Sequence, residues 1–364
     1  MAIILREKQP SRTGAGGAGF VSTPKMISVV VVTWNRAALL RNCLRSLRNQ
    51  RGVALEILVV DNGSVDGSVE MVTSEFPEVR LIRNQENRGF CAANNQGIAA
   101  ATGEYIALLN NDAEAEPGWA AALLETCLTD PAVGMVASKI LVYEDPSRID
   151  KVGHLIYPDG QNRGRGTGAL DHGQFDRVEP VLWPDGCAAM YRTALLRQIG
   201  GFDEDLFAYG DDAELGLRAR IAGWSCLYTP RAVVRHHRGS TMGLRSMRRL
   251  HLIERNRVLL AAKLFPVPLL LLNPFYYLQR LLAGAQAAFS GTGETALFPG
   301  WRGKLRLAAA LLWGDLEALT MLPRTFAKRR KLREIRKLTG KQVTELILSH
   351  RIGLRELSTQ AALR

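Results

Sequence analysis

A repeated alternation of apolar runs and amphipathic segments most constrains the fold of this 364-residue chain. Residues 28–33 (SVVVVT) form the first run and residues 56–60 (EILVV) the second, and leucines recur at helical spacing between them. A continuously apolar, β-branched run is typical of a strand buried on both faces of a parallel sheet. The alternation therefore predicts a parallel α/β sheet with right-handed crossovers.

The same pattern continues with a strand at 79–82, a helix at 90–102 and a strand that ends at Asn110. After residue 130 the character of the sequence changes. Residues 143–180 are rich in Gly, Asp, Arg and Pro, which predicts a long loop region with short strands. Irregular segments of this length inside a domain are usually functional, so we expect this one to cover an acceptor site.

Polar residues follow the predicted strands. Those at the carboxyl ends of the strands are Thr33, Asn35, Asp61, Asn110, Asn111 and Asp112. Open α/β sheets bind ligands at this edge, and a carboxylate there suits a divalent cation that also holds phosphate oxygens. The cluster that ends at Asp112 therefore predicts a metal and diphosphate anchor in a nucleotide pocket. No GxGxxG pattern follows the first strand and the sequence has no GxxxxGK[ST], so dinucleotide and P-loop sites are not indicated.

A second acidic cluster, Asp211 and Asp212, follows residues 207–210 (FAYG). A carboxylate that is separate from the metal anchor can accept a proton from a reacting hydroxyl group. One chain would then hold both halves of a transfer reaction.

Composition is that of a folded protein, with 47% hydrophobic and 23% charged residues. The net charge is +12, of which +9 lies from Arg324 to the end. Such a tail attracts an anionic membrane surface or nucleic acid, or forms a solvated helix, and nucleic acid is the weakest of these interpretations. The five cysteines are scattered without a CxxC pair, which predicts neither a disulfide framework nor a zinc site and fits the reducing cytosol.

The C-terminal part is apolar without a clear membrane span. Its longest uncharged stretch, 264–279, contains three prolines, and a spanning helix needs about twenty apolar residues. Interfacial helices and a helical subdomain packed on the sheet are both compatible with it. The predicted organisation is a flexible lead-in at 1–25, a catalytic domain at 26–250 and a basic helical extension at 251–364. The catalytic domain would divide into a nucleotide-binding half, 26–115, and an acceptor-binding half, 116–250.

Several motifs occur in the order found in family 2 glycosyltransferases with the GT-A fold. The segments that carry this resemblance are 28–36, 59–64, 87–90 with Asn94-Asn95, 108–112, 200–204, 209–215 and 222–224 with His236. The resemblance implies a Rossmann-like, mostly parallel sheet flanked by helices. It is strongest to rhamnosyltransferase-like members that build bacterial surface glycans.

The resemblance also implies roles for single residues. Asp112 and His236 are similar to the metal-binding residues, although Asn110 replaces the first carboxylate of the family's DxD motif. Asp212 is similar to the general base, while Asp211 stands where Glu is usual, which leaves their division of labour open. The residues expected to bind the nucleotide sugar are Thr33, Asn35, Asp61, Asn87, Arg88, Gly89, Asn94, Asn110 and Asn111. Trp183 and Asp185 are expected to contact the acceptor, with a core tryptophan and a turn aspartate before glycine as the alternative interpretations.

These expectations define a metal-dependent, inverting hexosyltransferase that uses Mg²⁺ or Mn²⁺. It would move a sugar from dTDP-rhamnose or a UDP-sugar to a hydroxyl group of a glycan, itself linked to a polyprenyl lipid, at the inner face of the cytoplasmic membrane. Two alternatives remain at this point. One is a nucleotidyltransferase that makes sugar nucleotides, and the other is a non-catalytic protein that binds membranes or nucleic acid through the basic tail.

Overall fold

The computed structural model describes residues 26–238, 243 and 245–359. The lead-in predicted for 1–25 and the last residues of the extension, 360–364, lie outside the described residues. The strands are β1 (Met26–Thr33), β2 (Ala54–Asp61), β3 (Arg80–Arg83), β4 (Tyr105–Leu109), β5 (Ala113–Ala115), β6 (Val133–Val142), β7 (Ile149–Lys151), β8 (His154–Ile156), β9 (Asn162–Gly164), β10 (Glu179–Pro180), β11 (Ala188–Arg192) and β12 (Ser225–His236).

The helices alternate with the first strands and then follow the last one. They are α1 (Ala37–Arg48), α2 (Ser68–Glu75), α3 (Gly89–Ala100), α4 (Trp119–Leu128), α5 (Thr193–Ile199), α6 (Asp211–Ile221), α7 (Met247–Leu264), α8 (Val267–Ser290), α9 (Gly300–Lys331), α10 (Gly340–Ser349) and α11 (Leu354–Thr359). Short 3₁₀ helices occupy Glu204–Leu206, Gly293–Leu297 and Leu332–Glu334.

The main sheet has the strand order β10-β12-β6-β11-β4-β1-β2-β3. Strands β4, β1, β2 and β3 are parallel, and β6 is parallel to β12. Strand β11 runs antiparallel to both of its neighbours, β4 and β6. The predicted fold class, a mostly parallel sheet flanked by helices, is confirmed.

Alternate residues of the central strands enter two different cores. Val29 and Val31 of β1 pack with α1, α2 and α4, whereas Val30 packs with α3, α5 and α6. All three valines are at most 1% exposed. Burial of both faces explains why the strands read as continuous apolar runs.

The C-terminal helices add a further layer to one face of the molecule. Leu217 and Ile221 of α6 share a core with Leu260 and Leu264 of α7 and with residues of α8 and α10. The extension is therefore packed on the catalytic layers. No helix in the described part of the chain has the length and apolar character needed to cross a membrane.

Candidate active site

A cavity of about 380 Å³ opens at the carboxyl edge of the parallel strands. It is lined by residues that follow β1 and β4, by the start of α6, by the segment 160–164, and by α7. Asp112 and Asp212, a hundred residues apart in sequence, both line it. The two acidic clusters thus share one cavity.

The nucleotide side is built by short polar contacts between strand ends. Thr33 Oγ1 accepts a hydrogen bond from Asn111 Nδ2 at 2.9 Å, which joins the ends of β1 and β4. Asn87 Oδ1 accepts from the backbone N–H of Gly89 at 2.9 Å and fixes the turn before α3. These four residues and Asn110 line the cavity.

Gly89 allows two parts of the cavity wall to meet. Its φ is +85°, and a Cβ atom at this position would lie 2.5 Å from the Phe207 ring. Only glycine tolerates both the conformation and the contact. The backbone of α3 can therefore approach the turn that precedes Asp211.

Asp112 belongs to a buried chain of side chains. Its Oδ1 lies 3.4 Å from His236 Nε2, and His236 Nδ1 lies 2.7 Å from Asp150 Oδ2. Asp150 is fully buried and also lies 3.0 Å from Arg238 Nε. A second carboxylate that orients the far nitrogen of a histidine is the usual support of a metal-binding imidazole. The donor set of Asp112 and His236 therefore fits a divalent cation.

Asp211 and Asp212 occupy the first turn of α6 after Gly210, and both are buried. Burial raises the pKa of Asp211 to about 8, with a further contribution from the charge of Asp212. Asp211 is thus protonated at neutral pH and cannot take up another proton. Asp212 is therefore the candidate base of the pair.

Asp212 is part of a second cluster with Asp185, His154 and Lys151. His154 Nε2 lies 2.8 Å from Asp185 Oδ2 and 3.3 Å from Asp212 Oδ2, and Lys151 Nζ lies 2.6 Å from Asp185 Oδ2. Burial alone would lower the pKa of His154, but Asp212 and Asp185 raise it to about 9. His154 and Lys151 therefore bring two positive charges to these carboxylates.

The geometry of His154, Asp185 and Asp212 would also allow a metal ion, since their ligand atoms lie within 4.8 Å of one another. We favour Asp112 and His236 for the cation. Lys151 already neutralises Asp185, whereas Asp112 lies beside His236, itself a metal-binding side chain. Although burial opposes it, acidic neighbours raise the pKa of both His154 and His236, so either imidazole must release a proton to bind a metal.

Five of the predicted site residues do not line the cavity: Asn35, Asp61, Arg88, Asn94 and Trp183. Asp61 lies beside it, next to the cavity-lining Asn62; its Oδ2 accepts from the N–H groups of Gly63 and Ser64. Its buried Oδ1 has no hydrogen-bond donor within the described residues. This oxygen can therefore accept a hydrogen bond from a nucleoside hydroxyl group or base.

The other four residues of that group have local roles. Asn35 caps a turn by accepting from Val65 N at 2.8 Å, Arg88 is exposed at the start of α3, and Asn94 donates to Phe90 O at 2.9 Å. Trp183 is fully buried, with its ring 6.0 Å from that of His154. The expectation that Trp183 contacts an acceptor sugar is therefore corrected: it supports His154 from the core.

Sequence reasoning missed Asp150, Lys151 and His154, as well as residues of the C-terminal extension. Asn256 on α7 places its Nδ2 2.6–2.9 Å from the carbonyl oxygens of Leu206, Ala208 and Tyr209. It thereby fixes the turn in front of Asp211. The only sequence signal was the density of charged residues in segments otherwise interpreted as loop or appendage.

Comparisons with known proteins agree with this architecture. Residues 28–200 match the protein family described as "Glycosyl transferase family 2". An N-acetylglucosaminyl-diphospho-decaprenol L-rhamnosyltransferase of Mycobacterium tuberculosis is 30% identical over 239 residues, which cover 60% of this chain and 78% of the relative. A pre-mycofactocin glycosyltransferase of the same species is 30% identical over 217 residues, covering 58% of this chain and 42% of the relative.

Two solved structures share the fold at low sequence identity. A mannosyltransferase from Pyrobaculum calidifontis in complex with GDP-Man and Mn²⁺ has a TM-score of 0.50 and 21% identity, and the match covers 82% of this chain and 88% of that one. GalNAc-T7 with UDP, GalNAc and Mn²⁺ has a TM-score of 0.56 and 15% identity, with 83% and 58% covered.

Proposed function

The chain belongs to glycosyltransferase family 2, and on that premise we propose that it transfers a sugar from a nucleoside diphosphate sugar to a hydroxyl group of a glycan acceptor. The observation that carries this proposal is that Asp112 and Asp212 line one cavity while each is held in a separate network of charges. Such a cavity can bind a diphosphate at one end and an acceptor alcohol at the other.

The residues divide the work of a single displacement. Asp212 accepts the proton of the acceptor hydroxyl as its oxygen attacks the anomeric carbon, and the nucleoside diphosphate leaves from the opposite face with inversion. Asp185, Lys151 and His154 orient Asp212 and exclude water from its far side. A Mg²⁺ or Mn²⁺ ion held by Asp112 and His236 would neutralise charge on the departing diphosphate.

The acceptor that fits best is a glycan linked through a diphosphate to a polyprenyl lipid, as the name of the mycobacterial rhamnosyltransferase states for that relative. dTDP-rhamnose and UDP-sugars are the corresponding donors. A nucleotidyltransferase is disfavoured because a basic triphosphate-binding loop does not follow β1, where residues 34–36 read WNR.

We further propose that the protein binds peripherally to the inner face of the cytoplasmic membrane. Helices α8 and α9 expose large apolar side chains that recur at spacings of three, four and seven residues. The members at least half exposed are Val267, Leu271, Phe275, Leu278, Leu282 and Phe289 on α8, and Trp301, Leu305, Leu312, Leu316 and Leu319 on α9. We call these two sets the apolar stripes. Arg302 and Arg306 are exposed beside the stripe of α9 and match the charge of anionic lipids.

The decisive experiment separates the two acidic centres. Thermal shift with a panel of UDP- and dTDP-sugars, with and without Mn²⁺, identifies the donor, and transfer is then measured with it. Asp212→Asn should retain Mn²⁺-dependent donor binding while transfer falls by about 10²–10⁴-fold, the contribution of a general base. Asp112→Asn should lose the Mn²⁺-dependent stabilisation itself.

Asp145→Asn, at a half-exposed side chain that pairs with Arg148 and does not line the cavity, serves as the matched control and should leave both measurements unchanged. Full transfer activity in the Asp212 variant, or donor binding that is indifferent to Mn²⁺ and to Asp112, would show that the roles are wrongly assigned.

A further inference from the structure

Two arginines that the transfer reaction does not use line the cavity together with Glu294. Arg163 Nη2 lies 3.2 Å from one carboxylate oxygen of Glu294, and Arg249 Nη2 lies 3.3 Å from the other. The charge of Arg163 holds the pKa of Glu294 below its usual range although burial opposes it, and Arg249 adds to the effect. An anion supplied by the protein itself therefore sits between two guanidinium groups.

The two arginines belong to the half of the cavity that contains the proposed base. Arg163 is on β9, which pairs with β8, the strand of His154. The Arg249 guanidinium lies 5.7 Å from the centre of the Tyr209 ring, and Tyr209 precedes Asp211 by two residues. A third basic residue near Glu294, Arg238, is tied to Asp150 on the Asp112 side.

The two helices that carry the apolar stripes, α8 and α9, are joined next to this pair of arginines. Glu294 is in the 3₁₀ helix Gly293–Leu297, which joins α8 to α9. Phe289, at the end of α8, is 91% exposed, and Trp301, at the start of α9, is 68% exposed. Arg163, Arg249 and Glu294, which we call the anion clamp, therefore lie between the cavity that contains Asp212 and an exposed apolar surface. A lipid-linked sugar phosphate has its sugar, phosphate and lipid in the same order.

We propose that Arg163 and Arg249 bind the phosphate groups of the lipid-linked acceptor, and that the Glu294 carboxylate occupies the clamp until the acceptor displaces it. This inference rests on the proposed transfer function and assigns the acceptor's recognition to residues distinct from those that bind the donor. Arginine suits the role because its planar fork pairs with two phosphate oxygens at once.

The test measures binding of geranyl diphosphate by the full-length protein in EDTA, where a metal-anchored donor diphosphate site is inactive. Arg163→Gln and Arg249→Gln should each weaken binding about tenfold, the value of one charged hydrogen bond. Glu294→Gln should strengthen it, because the competing carboxylate is removed. Geraniol should not bind, and inorganic pyrophosphate should bind more weakly than geranyl diphosphate.

Arg165→Gln is the matched control, since Arg165 pairs with Glu179 at 2.7 Å and its side chain is 22% exposed, as is that of Arg163. Binding within twofold of wild type in both clamp variants, or no binding by either wild type or Glu294→Gln, would overturn the proposal. If pyrophosphate and geranyl diphosphate bound with equal affinity, the bound phosphate groups would not be recognised as part of a lipid. Arg163→Lys and Arg249→Lys, checked for unchanged melting temperature, separate lost binding from lost folding.

Mn²⁺-dependent nucleotide binding is measured on the same proteins. If the wild-type protein shows no Mn²⁺-dependent nucleotide binding, the proposed function is wrong. If the clamp variants keep Mn²⁺-dependent nucleotide binding and also bind geranyl diphosphate as tightly as wild type, only the clamp proposal is wrong.

Discussion

Two adjacent carboxyl groups, Asp211 and Asp212, lie in different surroundings. Asp211 is buried beside Asp212, which raises the pKa of Asp211, whereas Asp212 lies 3.3 Å from His154 Nε2. The raised pKa of Asp211 has a measurable effect on stability.

Replacement of Asp211 by Asn should stabilise the fold, increasingly so at higher pH. The pKa of Asp211 is about 8 in the folded protein against a usual value of 3.8, so the folded state keeps a proton that the unfolded state releases. The free energy of unfolding therefore falls as pH rises from about 3.8 to about 8, by up to about 1.4 kcal/mol per pH unit. Above pH 8 the lost stability is not recovered. Asparagine carries no such dependence.

Urea unfolding of wild type and Asp211→Asn at several pH values between about 5 and 8.5, in metal-free buffer, checks this expectation. The stability difference should widen in favour of the variant as pH rises, while Asp145→Asn should show no widening. A difference that stays constant with pH would contradict the assigned protonation of Asp211.

At the level of residues, the sequence predicted the positions that follow strands and missed those that depend on tertiary contacts. Asp112 could be placed because a parallel sheet brings strand ends to one edge. His154 could not, because its contact with Asp212 joins a short hairpin to a helix 58 positions later, and no local periodicity marks such a pair. The sequence left two roles open for Trp183 for the same reason: only packing distinguishes a buried tryptophan from one that stacks on a sugar.

At the level of elements, the sequence left open whether the extension from residue 251 packs on the sheet or lies at a membrane. In α7 the polar residues Glu254, Asn256 and Arg257 are buried against the catalytic layers. Phe207 and Tyr209 adopt positive φ values, which are strained for residues with side chains. The contacts of Asn256 with this turn offset that strain and set the position of α6.

Asn256→Ala should therefore reduce transfer strongly while sparing donor binding. The carbonyl groups of Ala208 and Tyr209 lose their side-chain donor, which we expect to lower the free energy of unfolding by about 1–3 kcal/mol. Leu206 O, in contrast, still accepts from Arg255. Steady-state transfer and Mn²⁺-dependent thermal shift, measured together, check this expectation.

The control is Asn273→Ala on α8, where a single bond of 3.3 Å to Pro158 O is lost. If Asn256→Ala and Asn273→Ala reduced transfer equally, α7 would have no special part in holding the turn.

At the level of the whole molecule, the basic C-terminal segment is only partly available to a membrane. Arg324 and Lys328 pair with Asp205, Lys328 also contacts Asp203, and Arg329 donates to the carbonyl oxygens of Ala262, Lys263 and Phe265. Charge counting could not reveal this, because the acidic partners lie more than a hundred residues away. We therefore expect the apolar stripes, rather than the tail, to contribute most to the proposed membrane binding.

Flotation with anionic liposomes distinguishes these contributions. Leu271→Ser combined with Phe275→Ser should move most of the protein to the soluble fraction, because each buried large apolar side chain contributes about 1.5–3 kcal/mol. Replacement of the exposed Lys331, Arg333 and Lys341 by Gln should have a smaller effect that is further reduced by salt.

The exposed Leu170→Ser, outside the C-terminal helices, is the control. Equal flotation of wild type and the stripe variant, or no flotation of wild type, would exclude the stripes as the membrane-binding surface.

The reversed direction of β11 has a consequence for how such a protein can diversify. Its amino end, not its carboxyl end, meets the end of β4, where Asn110 N donates to Cys187 O at 2.8 Å. Asp185 and the preceding segment thus reach the cavity before their strand enters the sheet. This stretch can change in length and composition without disturbing the register of β1, β2 and β4, so new acceptor preferences can evolve on an unaltered donor scaffold.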